Sequence, residues 1–195
     1  KVFYAHELGY AYLEGGTNEY KPYLHVLEVN DEYYDELHFI SGRKPVNDEE
    51  IVISNHIKSN GGVSYRLGDT ITLSIGGRYY PEENEETYPI EHGEPFVEGE
   101  TLQTHTTKTY TIVGIVERSC YENYDEPGYS VFVNEGTLTD DDVIYSYVIF
   151  KSTKNIYNKA YTIAENLGKE KEESFGYTYY SDVQMNDALL SLYGE

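Results

Sequence analysis

Histidine and carboxylate side chains are the residues of this 195-residue chain that could hold a metal ion or act in catalysis. A zinc site needs three or four ligands, commonly at paired spacings along the chain. No two histidines stand at such a spacing, and the single cysteine, Cys120, has no histidine near it in sequence. We therefore interpret the histidines as structural or surface residues. They are His6, His25, His38, His56, His92 and His105.

Other chemistry-bearing patterns are equally weak. The acidic run Asp140–Asp142 lacks the alternating ligands, central glycine and terminal glutamate of an EF-hand loop, so we interpret it as solvated charge. Ser54 and His56 are close in sequence, but no Gly-x-Ser-x-Gly turn exposes a serine nucleophile. The sequence therefore predicts no catalytic, metal-binding or cofactor-binding residue, no cofactor and no enzymatic activity. A hydrolase of unknown type stays open, because 35 acidic residues could include a catalytic pair, although nothing in the sequence singles one out.

The charge of the chain excludes one class of partner. Its 35 acidic and 14 basic residues give a formal net charge of −21. Nucleic-acid binding needs clustered lysines and arginines that displace counterions, and the sequence contains no such cluster. We therefore expect no nucleic-acid partner. The negative field would attract a cationic peptide or a cationic extracellular protein, although an acidic surface without such a partner is the more ordinary explanation.

The elements that position these residues follow from apolar alternation and from turn residues. Strands are predicted at residues 2–13, 22–29, 51–53, 70–75, 108–116, 129–133, 143–151 and 175–180, the first two forming a hairpin. Helices are predicted from Asn30 or Asp31 to Gly42, near His56, over residues 154–167 and from residue 186 to 193. Residues 79–100 are acidic and contain three prolines, which predicts an exposed loop.

The two ends of the chain mix helices and strands, whereas its middle is nearly all β. This pattern predicts an α+β fold in which residues 1–45 and 144–195 form one subdomain. Residues 46–143 then form an inserted, mostly antiparallel β subdomain. The chain begins at Lys1 inside a predicted strand, without a methionine, so we expect a fragment of a longer protein.

Four stretches combine turn glycines or acidic residues with apolar runs in a characteristic order. They are Ile40–Pro45 with Asp48–Ser54, Tyr65–Leu73, Tyr110–Val116 and Asn186–Leu190. Over roughly residues 29–193, this order resembles the extracytoplasmic domain of MacB/FtsX-type ABC-transporter permeases. In that family a Gly-Arg-x-Pro turn, here Gly42 to Pro45, leads into a Glu-Ile-Val strand. Arg43 is then expected to pair with one of the carboxylates at positions 48–50.

The resemblance implies a domain on the extracytoplasmic face of the cell membrane, held by flanking membrane helices that this chain lacks. It implies that the two chain ends build a porter-like α+β base and that the middle is the inserted β subdomain. The parent permease would pair with a cytoplasmic ATPase, with a dimer in the full transporter as one option. The domain would couple ATP-driven movement to export of a peptide, toxin or lipoprotein, or to an extracellular partner protein. Family members usually carry a further helix and strand ahead of the position where this chain begins.

The tyrosine content supports a second hypothesis. The chain has 23 tyrosines and no tryptophan, and it contains adjacent pairs at Tyr33-Tyr34, Tyr79-Tyr80 and Tyr179-Tyr180. Flat aromatic faces on a surface can stack on sugars or peptides. The alternative function is therefore a tyrosine-rich surface module that binds carbohydrate or peptide, unless these rings pack in the core.

Overall fold

The computed structural model describes residues 1–81, 87–91, 93–136, 144–152, 154–163 and 166. The chain divides into two compact units. One is Val2–Tyr147, and the other comprises Lys1 and the residues from Val148 onward. The predicted strand at 175–180 and the predicted helix at 186–193 lie outside the described residues.

One sheet of eight strands dominates the described part of the chain, which is of the predicted α+β class and mostly strand. The strands are β1 (Val2–Tyr12), β2 (Tyr23–Val29), β3 (Phe39–Gly42), β4 (Glu50–Ser54), β5 (Thr70–Tyr79), β6 (Thr101–Val116), β7 (Gly128–Asn134) and β8 (Ile144–Val148). Two short helices are α1 (Asp31–Tyr34) and α2 (His56–Ser59), and residues 156–163, inside the predicted 154–167 helix, are helical as well.

The strands follow the order β2-β7-β4-β6-β5-β1-β8, with β3 also paired to β6. Because β1 pairs with β2 as well, six of the strands form a closed ring. The β1–β2, β1–β5, β3–β6, β4–β7 and β5–β6 pairs are antiparallel, whereas β2–β7 and β4–β6 are parallel. Strands from both sides of residue 45 belong to this sheet, and the predicted division into a base and an inserted subdomain stays a prediction.

Apolar side chains on the two faces of the same strands form two clusters. Ile51 and Ile53 of β4 belong to the first cluster, and Val52 between them belongs to the second. The same alternation places Val131 of β7 in the first cluster and Phe132 in the second. Strands that are buried on both faces read as continuous apolar runs, as β4 and β7 do.

The predicted helix from residue 30 to Gly42 is wrong beyond its first turn. The Asn30 side chain accepts a hydrogen bond from the Tyr33 backbone N–H, as expected of an N-cap, but α1 contains only four residues. Phe39–Gly42 is strand β3, paired with the end of β6. Gly42 has φ 79°, so its left-handed conformation ends a strand and not a helix.

Gly114 lies at a bulge in β6. Ile51 of β4 pairs with Ile112 and Val52 pairs with Gly114, so Val113 is the extra residue. A Cβ at Gly114 would lie 2.5 Å from the Arg43 carbonyl oxygen. The glycine therefore permits the close approach of the turn that follows β3.

Candidate functional site

Three cationic or titratable side chains converge on one buried carboxylate, Glu122. The Arg118 Nε and His56 Nδ1 atoms each lie 3.0 Å from Glu122 Oε1, and Lys21 Nζ lies 3.5 Å from it. The second oxygen accepts a hydrogen bond from the Ser130 backbone N–H at 3.2 Å. The Glu122 side chain is fully buried, so its charge requires such partners.

Separate elements supply these groups. Lys21 precedes β2, His56 begins α2, and Glu122 lies in the connection from β6 to β7. Arg118 lies four residues before Glu122 in the same connection. The parallel β2–β7 pair brings Lys21 and this connection to the same end of two neighbouring strands, because parallel strands begin at the same edge.

A second buried group lies behind Glu122. Lys21 Nζ donates to the Glu126 carbonyl oxygen at 2.5 Å, and the Tyr10 hydroxyl donates to Glu126 Oε1 at 2.7 Å. His25 lies between two carboxylates: its Nδ1 is 2.8 Å from Glu126 Oε1 and its Nε2 is 3.1 Å from Glu7 Oε2. An imidazole that faces an acceptor on each ring nitrogen donates from both only when it is protonated.

The pKa values of the two histidines are shifted in opposite directions. Burial alone would lower the pKa of His25, but the carboxylates of Glu126 and Glu7 outweigh burial and raise that pKa to about 10. For His56, burial outweighs the attraction of Glu122, and Arg118 and Lys21 add repulsion, so its pKa is lowered. At neutral pH, His25 is therefore a cation and His56 is neutral.

These groups border an open cavity of about 370 Å³, which we call the Arg118 cavity. Its rim includes two tyrosines with very exposed rings, Tyr20 at 78% and Tyr124 at 82%. The Arg118 guanidinium lies over the Tyr124 ring, 5.8 Å from its centroid. The lining residues are Asn18, Tyr20, Lys21, His56, Asn60, Pro95, Phe96, Arg118, Tyr124, Asp125 and Glu126.

One wall of the Arg118 cavity comes from the acidic segment that was expected to be an exposed loop. Arg78 forms two hydrogen bonds with the Glu100 carboxylate, at 2.9 and 2.8 Å, and both side chains are buried. The same guanidinium donates to the carbonyl oxygens of Glu94 and Pro95, at 2.8 Å each. The described end of this segment is therefore tied to β5, and Arg78 positions the cavity wall that includes Phe96.

The arrangement is suited to binding. It offers hydrogen-bond donors, one cation stacked on an aromatic ring, and exposed rings around a small cavity. Among the described residues, no group of three or more His, Cys, Asp and Glu side chains is placed to hold a metal ion. The Ser54 hydroxyl accepts a hydrogen bond from the His56 backbone N–H, and the His56 ring bonds Glu122.

The other histidines and the acidic run are scattered. His6 pairs with Glu28 at 2.7 Å, and the exposed His38 pairs with Glu117 at 3.2 Å. His105 is exposed on β6. His92 and the run Asp140–Asp142 lie outside the described residues.

The tyrosine pairs have different surroundings. Tyr33 and Tyr34 are buried in the second apolar cluster, so the expectation that this pair is exposed is wrong. Tyr80 is exposed, and Tyr79 is half-buried. The pair Tyr179-Tyr180 lies outside the described residues. The exposed rings at the Arg118 cavity are the isolated Tyr20 and Tyr124, which the sequence reasoning missed.

The sequence contains one regular spacing among the charged residues of this site. Arg118, Glu122 and Glu126 follow one another at intervals of four residues. That spacing suggests a helix face, whereas these residues lie in an irregular connection between strands. Their meeting with Lys21 and His56 depends on strand pairing between distant parts of the chain, because Glu126 lies 105 residues from Lys21 and Glu122 lies 66 residues from His56. Local patterns do not reveal such contacts.

The turn predicted around Arg43 has the expected ion pair. Arg43 Nη1 and Nη2 each donate to the Glu50 carboxylate at 2.7 Å. Of the three carboxylates expected for this role, Glu50 is the partner, and Arg43 lowers the pKa of Glu50 to about 2. Asp48 pairs instead with Lys108 at 3.1 Å.

Comparison with known proteins gives structural neighbours of the kind that the sequence resemblance predicts. The chain is similar to the extracellular domain of the noncanonic ABC-type transporter YknZ from Gram-positive bacteria. The identity is 15%, the TM-score is 0.47, and the match covers 95% of this chain and 81% of that one. No protein-family model matches the chain, and no curated protein matches it.

Two further neighbours are of the same kind. The periplasmic region of MacB from Actinobacillus actinomycetemcomitans matches at 10% identity and TM-score 0.46, over 98% of this chain and 75% of that one. A domain of a putative permease protein from Porphyromonas gingivalis matches at 11% identity and TM-score 0.40, over 97% and 81%.

No helix among the described residues is both long enough and apolar enough to span a bilayer.

Proposed function

We propose that this chain is the extracellular domain of an FtsX/MacB-type ABC-transporter permease and that it does not catalyse a reaction. In this role it couples movement driven by a cytoplasmic ATPase to export of a peptide, toxin or lipoprotein, or to the action of a partner protein. Flanking helices of the parent protein hold it at the extracytoplasmic face of the cell membrane. The proposal includes a dimer of the permease in the full transporter.

The observation that carries this proposal is that three of the four family-like stretches meet at one place. The Arg43 backbone N–H donates to the Val113 carbonyl oxygen at 2.9 Å. The Gly68 N–H donates to the Ile112 carbonyl oxygen at 2.8 Å, and the Ile112 N–H donates to the Asp69 carbonyl oxygen at 2.9 Å. These stretches are far apart in sequence, yet backbone hydrogen bonds join them. That contact supports the view that they form one structural unit, and it counts against three coincidental sequence matches. The fourth stretch lies outside the described residues.

The proposed organisation keeps a porter-like base built from residues 1–45 and 144–195, with residues 46–143 inserted. Two backbone hydrogen bonds join Lys1 to Ile149, at 3.0 and 2.8 Å. They pair the first residue with the residue just beyond β8. This pairing supports a base to which both ends of the chain contribute.

Co-purification tests the proposed function. The full-length gene product that contains this chain is extracted from its native membranes in detergent, and bound proteins are identified by mass spectrometry. We expect an ABC-type ATPase in the complex. Deleting this domain should leave ATPase binding intact, because that contact is cytoplasmic, but should abolish the ATP-dependent extracellular activity. A product that lacks an ATPase partner contradicts the proposal.

The alternative function, a tyrosine-rich surface module that binds carbohydrate or peptide, is favoured by one observation. Tyr20 and Tyr124 are largely exposed at a cavity that also presents Arg118. The two functions are compatible, because a transporter's external domain can itself carry a ligand site.

A further inference from the structure

We propose that the Arg118 cavity binds the carboxylate of a peptide, with the adjoining peptide side chain packed against the exposed tyrosines. This inference deepens the alternative function by naming the chemical group that the cavity recognises, and it is independent of the permease proposal because it is argued from the cavity alone. All the groups that carry it lie within Val2–Tyr147.

The Arg118 guanidinium is held in place, but not all of its hydrogen-bond donors are used. Its Nε forms an ion pair with Glu122 Oε1 at 3.0 Å, and its central carbon lies over the Tyr124 ring. Among the described residues, its terminal nitrogens have no hydrogen-bond acceptor. A guanidinium fixed by one carboxylate and one ring can use those two nitrogens to bind a second carboxylate in a forked geometry.

Arg118 is the cation that the cavity presents to a ligand. Lys21 and Arg118 are positive, and Glu122 is their shared buried counter-ion. The Glu126 carboxylate is directed at Tyr10 and His25, away from Arg118. Asp125 on the rim is exposed to solvent, which screens its charge. In a chain of net charge −21, the Arg118 guanidinium is therefore a local cation with donors left for a ligand, which favours an anionic group there.

The remainder of the lining fits a peptide rather than a bare anion. Asn60 Oδ1 accepts hydrogen bonds from Asn18 Nδ2 and from the Tyr129 hydroxyl, at 2.7 Å each, so its amide NH₂ is left to donate to a peptide carbonyl. Phe96 and the two exposed tyrosines offer apolar surface for a side chain. A volume of about 370 Å³ lies near the lower end of the roughly 300–1,000 Å³ range of ligand sites. The cavity therefore accommodates a short peptide segment.

The test is a titration of the isotope-labelled 195-residue chain, followed by nuclear magnetic resonance. The probes are acetyl-Ala-Phe with a free carboxylate, the same peptide as its amide, and acetyl-Asp-Phe-amide. We expect the free carboxylate to shift the Arg118 Nε–H signal and the Tyr20 and Tyr124 ring signals saturably. The first amide should bind at least about tenfold more weakly, because a hydrogen bond to a charged group is lost. Tight binding of acetyl-Asp-Phe-amide would assign the site to acidic side chains, and weak binding would assign it to chain termini.

Matched variants make the test specific. Arg118→Gln should abolish the preference for the carboxylate, whereas Arg66→Gln removes the same charge at an exposed turn and should leave binding unchanged. Should Arg118→Gln fold poorly, Tyr20→Ala decides, because a ring that is 78% exposed adds little to the fold and its removal should weaken binding several-fold.

Four results would overturn the proposal. The first is equal binding of the free acid and its amide, and the second is wild-type binding by the folded Arg118→Gln or Tyr20→Ala variant. The third is displacement of the peptide by inorganic phosphate at equal concentration. The fourth is binding of neutral maltoheptaose that Arg118→Gln does not affect.

Discussion

His25 is a buried cation whose charge is part of the folded structure. Its ring nitrogens face Glu126 and Glu7, and its ring stacks on Tyr10 with centroids 4.7 Å apart. Removing the proton would leave two carboxylates without their shared cation. A buried charge that loses its partner is costly, so the ionisation of His25 and the stability of the fold are linked.

The first prediction follows from this linkage. The pKa of His25 is about 10 in the folded chain and near 6.5 in an unfolded chain. The stabilisation is therefore complete below pH 6.5 and is lost as pH rises through 10. Within this window the free energy of unfolding should fall by up to about 1.4 kcal/mol per pH unit. Urea unfolding at a series of pH values measures this slope.

A variant pair assigns the slope to His25. In His25→Gln the free energy of unfolding should be lower at pH 7, and its decrease toward pH 10 should be shallow. His38→Gln, which alters a side chain that is 87% exposed, should retain the wild-type profile. A wild-type slope in folded His25→Gln would show that another group is responsible.

The second prediction concerns the ion pair between Arg78 and Glu100. Both side chains are almost fully buried, so Glu100→Gln leaves Arg78 charged without a counter-ion. We expect this change to lower the free energy of unfolding by about 3–5 kcal/mol. Asp48→Asn breaks an exposed pair with Lys108 and should have no measurable effect. Equal effects in the two variants would show that the Arg78 pair is not desolvated in solution.

At the scale of elements, the bulge in β6 determines how closely the turn after β3 approaches the sheet. A Cβ at Gly114 would lie 2.5 Å from the Arg43 carbonyl oxygen, 2.8 Å from the Phe39 ring and 2.9 Å from a Val52 methyl group. The first of these atoms belongs to the backbone, which cannot rotate away as a side chain does. The turn and β6 must therefore separate if the glycine is replaced.

The third prediction is that Gly114→Ala lowers the free energy of unfolding by about 1–3 kcal/mol, the usual range for overpacking. Gly77→Ala is the matched control on β5, because its Cβ would meet only the Tyr79 ring, 3.2 Å away, which can shift. Chemical unfolding of both variants measures the difference. A Gly114→Ala variant as stable as Gly77→Ala would contradict the close approach.

The elements also show where sequence reasoning succeeds. The cores of β2, β5 and β6 were predicted from period-two alternation or from a strongly apolar run. Alternation is visible in a sequence where one face of a strand is more exposed than the other. The same reasoning failed at Phe39–Gly42. There the spacing of Tyr33, Leu37 and Ile40 fits a helix, but pairing with β6 makes the segment a strand. Local periodicity cannot register a partner that lies about 75 residues away in sequence.

At the scale of the whole molecule, the candidate site was beyond sequence reasoning for a related reason. The individual histidines were visible, but strand pairing is what brings Lys21 and His56 to Glu122: β2 with β7 for Lys21, and β4 with β6 for His56. The family resemblance, in contrast, rests on turn and strand motifs that are contiguous in sequence. That is why the sequence could suggest a family for the domain but could not reveal the Arg118 cavity.

The exposed thiol of Cys120 offers a direct test of where the domain resides. Intact cells that produce the full-length gene product are treated with a membrane-impermeant maleimide, and lysed cells serve as the reference. The Cys120→Ser variant identifies any labelling that comes from other cysteines of the parent. For an extracellular domain held by the membrane, Cys120 should be labelled as fully in intact cells as after lysis, with the product in the membrane fraction. Labelling only after lysis, or a product released into the medium, would contradict the account.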